Sequence, residues 1–265
     1  MGRIEDIFSA ARAENRKLLM PFVCAGSPEP GMLGDLLRAM ERGGASIVEV
    51  GIPFSDPIAD GPAIAAAMHV ALESGCTPEG VMREVAQIRD QLSIGLVAMV
   101  SVSIVNALGG AQGFCARAKD VGFDGLIIPD CPLEESGALI DAAKSAGLTL
   151  SLLIAPTTPA ERAQKIASAC TGFAYMLARS GITGERENAP EVGGRVAELR
   201  QTSELPVACG FGISSAEHVR AVVEHADAAI VGSALVRRLR DAKERGADAV
   251  EVGESFVREL AGGLG

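Results

Sequence analysis

Two carboxylates eleven residues apart offer the plainest chemistry in this sequence. Glu49 lies in the run Ile47-Val48-Glu49-Val50-Gly51, whose β-branched residues predict a strand. Side chains alternate along a strand, so Val48 and Val50 share one face and Ile47 and Glu49 the other. With the valines under a helical cover, Glu49 points into a buried interior. An isolated carboxylate there must be paired, protonated or functional. Desolvation raises its pKa toward neutrality, which suits a group that donates and accepts protons. A structural Glu held by a Lys or Arg from elsewhere fits the spacing equally well. The following segment, Pro53-Phe54-Ser55-Asp56-Pro57-Ile58-Ala59-Asp60-Gly61-Pro62, is stiffened by three prolines and presents two aspartates. Asp60, just before Gly61-Pro62, either caps a helix or does chemistry. Asp56 before Pro57 forms a turn. One carboxylate at a strand end and one on the next loop can bracket a substrate, one donating a proton while the other accepts.

Glycine turns supply a second kind of chemistry. Gly210-Phe211-Gly212-Ile213-Ser214 and Gly232-Ser233-Ala234, the latter at a helix start, bring backbone N–H groups close to a ligand and attract an anion. Plain turn chemistry is the other reading of these glycines. Ser180-Gly-Ile-Thr-Gly184 adds a third set of N–H groups, and the long polar continuation to Gly194 has the composition of a lid or of a loose loop.

The elements that must hold these groups repeat one pattern: a short β-branched run, a Gly/Pro/Asp loop, then a helix-period stretch. Strands are predicted over 19–23, 46–50, 95–100, 125–128, 149–154, 173–177, 206–209 and 228–231. Helical patterns cover 32–42, 81–91, 111–121, 133–146, 160–169, 194–201, 216–225 and 250–260. Apolar strands bounded by helices imply a parallel sheet covered on its faces, and eight such units fit one (β/α)8 barrel domain spanning residues 1–265. Function then gathers at the carboxyl ends of the strands, with a phosphate cradle after strands seven and eight. Ile4, Ile7, Phe8 and Ala11 recur at helical spacing, which predicts an extra N-terminal helix plugging the barrel. Ser214-Ser-Ala-Glu217 reads as a capping box.

Composition narrows the partners. The 265 residues carry a formal charge of -10 without a Lys/Arg run, which argues against nucleic acid or anionic membrane. Eight Phe, one Tyr and no Trp leave no stacking platform for bases. The six cysteines (24, 76, 115, 131, 170, 209) read as reduced, mostly buried thiols of a cytoplasmic protein; Cys24 and Cys209 end strands one and seven, where an approach to each other is the alternative to the packed-thiol role preferred here. His69, His218 and His225 lack metal or triad spacing and read as surface residues, so no metal is expected. The apolar stretch 94–108 is interrupted by Ser101, Ser103 and Asn106 and falls short of a membrane span.

The assembled residues resemble the α subunit of bacterial tryptophan synthase. The carrying segments are Val48-Glu-Val-Gly-Ile-Pro-Phe-Ser-Asp-Pro-Ile-Ala-Asp-Gly-Pro62, Asp130-Cys-Pro-Leu-Glu-Glu-Ser136, Tyr175-Met-Leu-Ala-Arg-Ser-Gly-Ile-Thr-Gly184 and Gly210-Phe-Gly-Ile-Ser-Ser215. The resemblance implies a barrel that cleaves indole-3-glycerol phosphate to indole and glyceraldehyde 3-phosphate. It also implies a β-subunit partner in an α2β2 complex that takes the indole onward, with pyridoxal phosphate in the β subunit and no cofactor in this chain. Glu49 matches the family's acid/base at indole C3 and Asp60 the carboxylate that takes up the ring N–H. Phe22, Tyr175 and Phe211 match walls of the indole site, and Gly184, Gly212, Gly232 and Ser233 match phosphate ligands. Thr183 falls on the lid, and Asp56 and Pro57 on the loop facing the partner. A stand-alone, indole-releasing lyase is the alternative. The sequence departs from the family after strand three, where Val102 appears in place of a ring, and at Ser27, Ala65 and Val70.

Overall fold

The computed structural model describes residues 2–57, 60–178, 192–210 and 212–265. Nine strands follow in chain order: β1 Leu18–Cys24, β2 Ile47–Gly51, β3 Gly95–Met99, β4 Gly125–Ile127, β5 Thr149–Ser151, β6 Leu153–Ile154, β7 Ala174–Leu177, β8 Val207–Gly210 and β9 Ala228–Val231. All pairings are parallel, in the order β5-β4-β3-β2-β1-β9-β8-β7-β6. The two ends of that order are consecutive pieces of one stave, so the sheet curls round into eight staves. The predicted strand 149–154 is split because the Leu152 N–H turns away from the ladder and donates to the Cys170 sulfur at 3.2 Å.

Among the described residues twelve helices accompany the strands: α1 Arg3–Ala13, α2 Leu33–Arg42, α3 Pro62–Glu73, α4 Pro78–Ile88, α5 Val102–Ala107, α6 Gly110–Asp120, α7 Gly137–Ala146, α8 Ala160–Ala169, α9 Gly193–Arg200, α10 Ala216–Val223, α11 Ser233–Glu244 and α12 Ala249–Ala261. The sequence pattern anticipates the start of α11 but gives no helical stretch for α3 or α5. It reads the α10 cap one residue early. Ser215, not Ser214, accepts from the His218 N–H at 3.2 Å, and the Ser214 hydroxyl meets His218 Nδ1 at 3.4 Å instead. His218 is buried at 7 % exposure, contrary to its surface reading, whereas His69 and His225 are exposed.

Two apolar shells result from strand alternation. Val48 and Val50 join Leu36, Leu37, Val81 and Val85 between sheet and helices, while Ile47 joins Leu18, Met20, Phe22 and Val97 inside the barrel. Ile4, Phe8 and Ala11 of α1 belong to the inner shell, and the Phe8 ring lies 5.7 Å from Phe173, so α1 closes the barrel floor as predicted. Two aspartates tie that floor together. Asp227 accepts from the Val207 N–H and from Arg12 and Arg200; Asp124 accepts from the Leu96 N–H and from Arg89, with Arg3 at 3.7 Å. Among the described residues all six cysteines are free, five of them buried. Cys24 packs in the inner shell and Cys209 in the outer one, so the two face opposite sides of the sheet, and both are the packed thiols the sequence favours rather than an approaching pair. No described helix is long and apolar enough to cross a membrane; the stretch 94–108 divides between β3 and α5.

Candidate active site at the carboxyl rim of the barrel

Strand register fixes the surroundings of Glu49. It sits opposite Phe22 on β1 and Val97 on β3, both in the inner shell. Its side chain is 1 % exposed, and neither carboxylate oxygen has a hydrogen-bond partner among the described residues. Among the described residues no Lys or Arg pairs with it. Burial pushes its pKa well above the ordinary carboxylate range, and the neighbouring Asp60 charge pushes it further in the same direction. Burial thus favours the protonated form of Glu49, which suits it to give a proton.

Asp60 stands beside it in a different environment. Its N–H closes a turn onto the Pro57 carbonyl at 3.1 Å, and the N-cap of α3 is Gly61, with no side-chain cap. The capping role open to Asp60 in the sequence is thus not the one it has. Burial lifts its pKa to about 6, so Asp60 is mostly ionised at neutral pH, whereas the full burial of Glu49 favours its protonated form. The two environments separate the pair into one donor and one acceptor.

Tyr175 on β7 completes the interior. It is 4 % exposed, and burial, then the charges of Glu49 and Asp60, raise its phenol above the usual tyrosine range. Two glycines make room for the rings. A Cβ on Gly210 would lie 2.8 Å from the Tyr175 hydroxyl, and one on Gly51 would lie 2.4 Å from the Phe22 ring. Gly232 and Ser233 open α11, a helix of twelve residues. A Cβ on Gly232 would meet Ile64 at 3.5 Å and the Phe22 Cβ at 3.7 Å, which sets this helix N-terminus against the same interior. The Ser233 hydroxyl is buried without a partner among the described residues. Gly212 has φ +80°, a backbone conformation glycine adopts without strain. A helix start with an unpartnered hydroxyl beside a left-handed turn is chemically suited to an anion.

The remaining predicted residues divide into two groups. Asp56 and Pro57 lie on the outer rim, Asp56 exposed and accepting from the Ser55 hydroxyl at 2.6 Å. Phe211, Thr183, Gly184 and most of the lid segment lie outside the described residues. Sequence reasoning missed Met68, Met99 and Ile64. Val102, expected in place of an absent ring, packs against the outer shell at the start of α5; the residue of β3 that reaches the site is Met99, which shares a cleft with Asp60 and Met68. Counting alternate positions from Gly95 would have found it. No group of three or more His, Cys, Asp or Glu among the described residues is arranged to hold a metal ion.

Eight parallel staves with a buried, electrically divided carboxylate pair in their mouth define a (β/α)8 barrel enzyme of the kind that works at its carboxyl rim. The chain belongs to the tryptophan synthase alpha chain family, whose model matches residues 8–264. It is 43 % identical over 260 residues to the tryptophan synthase alpha chain of Prochlorococcus marinus (strain NATL1A), covering 97 % of this chain and 96 % of that one. The alpha chain of Halorhodospira halophila is 40 % identical over 257 residues, 94 % of each chain. Among solved structures, tryptophan synthase subunit alpha from Legionella pneumophila str. Paris superposes with a TM-score of 0.89 at 30 % identity, covering 100 % of this chain and 98 % of that one. A Mycobacterium tuberculosis tryptophan synthase structure gives 0.90 at 29 % identity, covering 99 % and 98 %. The family's members are carbon–carbon lyases of L-tryptophan biosynthesis, and the chain takes that role.

Proposed function

We propose that this chain cleaves indole-3-glycerol phosphate to indole and D-glyceraldehyde 3-phosphate, with Glu49 as acid and base and Asp60 as the acceptor of the ring N–H. The supporting observation is the buried Glu49 carboxyl without a partner among the described residues. The carbon–carbon bond at indole C3 does not break while the ring is aromatic, because the departing electron pair has no acceptor. Neutral Glu49 delivers its proton to C3, and ionised Asp60 stabilises the positive charge that develops at the ring nitrogen. Glu49, now a carboxylate, removes the proton of the side-chain hydroxyl. The bond electrons return to the ring, indole leaves, and the hydroxyl carbon becomes the aldehyde of glyceraldehyde 3-phosphate. Phe22, Tyr175 and Phe211 wall the ring. Gly212, Gly232, Ser233 and Gly184 hold the phosphate, and Thr183 belongs to the lid over it.

The chain acts as one domain, in the cytoplasm, without a cofactor of its own. Its partner is the β subunit of an α2β2 complex, where pyridoxal phosphate resides, and Asp56 and Pro57 face that partner. The test is release of indole and glyceraldehyde 3-phosphate from indole-3-glycerol phosphate, measured with and without added β subunit. Both products are expected from the chain alone, at a rate the β subunit raises while co-eluting with it. An unchanged rate without co-elution identifies a stand-alone indole-releasing lyase. Absence of both products under both conditions overturns the proposal.

A further inference from the structure

We propose that the cleft on the far side of Asp60 is a substituent subsite, which admits small apolar groups at position 7 of the indole ring, so that the chain cleaves 7-alkyl and 7-halo analogues of its substrate. This rests on the reading of the site just given. Asp60 borders two spaces. On one side its charge reaches Glu49, Tyr175 and Cys24 in the barrel interior. On the other it lines a cleft of about 30 Å³, open toward solvent, whose apolar walls are Ile52, Phe54, Met68, Met99 and Val100, with Ser101, Asp56 and Asp130 also lining it. Glu49, Phe22 and Tyr175 do not line this cleft, so it extends beyond the space between the two carboxylates.

The direction follows from the shape of indole. With C3 at Glu49 and the N–H on Asp60, the bond from C7 points alongside the N–H, past Asp60 and into the cleft. The bond from C4 points back beside C3, toward an interior lined by the buried side chains of Phe22, Ile64 and Tyr175, each 4 % exposed or less. These five apolar residues carry no donor or charge, which leaves the polar groups of the cleft to Ser101, Asp56, Asp60 and Asp130, and the two methionines are unbranched and adapt to added volume. The rim is acidic and fixed: Asp130 accepts from the Ser101 hydroxyl at 2.6 Å and from the Val102 N–H at 2.9 Å, and Asp56 from Ser55. A carboxylate substituent meets like charge there, which restricts the class to neutral groups.

Measuring kcat/KM on the parent substrate and on its 7-methyl and 4-methyl analogues tests this in one assay. The 7-methyl compound is expected within about threefold of the parent and the 4-methyl compound lower by about tenfold or more, the range one misplaced methyl group produces in an apolar pocket. Filling the cleft with M99W, or with the smaller M99F, is expected to lower the ratio of 7-methyl to parent by about tenfold, whatever either variant does to the parent. A 7-methyl analogue as impaired as the 4-methyl one, in the unaltered chain, overturns the subsite, as does a ratio that neither variant moves. Failure to cleave the parent speaks against the functional reading instead, so the two failures are told apart.

Discussion

At the scale of single residues the proposed mechanism needs one carboxyl kept neutral and another kept charged within one apolar chamber. E49Q keeps shape and burial but has no proton to give to carbon. It is expected to reduce indole release by about 10²–10⁴-fold, the usual size of a general acid–base contribution, while a non-cleavable phosphate analogue still binds in titration calorimetry. Asp60 sets the acid side of the pH profile. Its pKa of about 6 means the acceptor is lost below that value, so kcat/KM is expected to fall with decreasing pH through about 6. D60N is expected to be far slower and to lack that limb. The same raised pKa acts on stability with a definite sign. The folded chain binds the Asp60 proton more tightly than the unfolded one, so this stabilising contribution is complete below the ordinary aspartate range and is gone above about pH 6. Denaturant midpoints should therefore show D60N gaining on the unaltered chain between about pH 4 and pH 7. The inward aim of Glu49 was legible in the sequence because alternation leaves only two faces and the flanking valines claim one. The role of Asp60 was not, since the same Asp-Gly-Pro spacing serves a cap and a catalyst, and only the structure, with its cap at Gly61, sets the first aside.

Elements position these groups from outside the mouth. Helix α1 fills the barrel floor with Ile4, Phe8 and Ala11, which leaves the rim open for chemistry. F8A removes a ring that is 1 % exposed and is expected to cost about 3–5 kcal/mol of unfolding free energy, read from urea denaturation. Because the floor lies at the opposite end from Glu49, the KM of the folded fraction should change little. The alternation of short strands with helices, and the α1 plug, could be read directly from apolar spacing. Helix α3 escaped because its alanines blur the contrast between faces, although Ile64, Ala67, Met68 and Ala71 are the ones buried. The break at Leu152 escaped for another reason: it depends on a thiol, Cys170, eighteen residues away in sequence.

Over the whole molecule, chemistry and cohesion occupy opposite ends of the barrel. The rim holds two carboxyls whose pKa values are raised, the buried Glu49 and the half-buried Asp60. The floor holds Asp227, which burial alone would raise but which Arg12, the Val207 N–H and Arg200 together pull below the ordinary range. Its linkage has the opposite sign from that of Asp60: the stability it contributes is present above the ordinary aspartate range and is lost as pH falls through the lowered value. D227A is expected to cost about 2–3 kcal/mol near pH 7, the scale of a charge-assisted hydrogen bond, and progressively less in acid. Neither floor cluster is visible as a motif, because Arg12, Arg200 and Asp227 converge only once the barrel has closed. The central claim is that Glu49 stands protonated in the free enzyme. Carbon-13 NMR of the chain labelled at glutamate carboxyls, with E49Q to assign the resonance, tests it most directly. The account predicts a Glu49 signal that stays at its protonated position through pH 7, while exposed glutamates titrate in the ordinary range. A Glu49 resonance that titrates with them contradicts it.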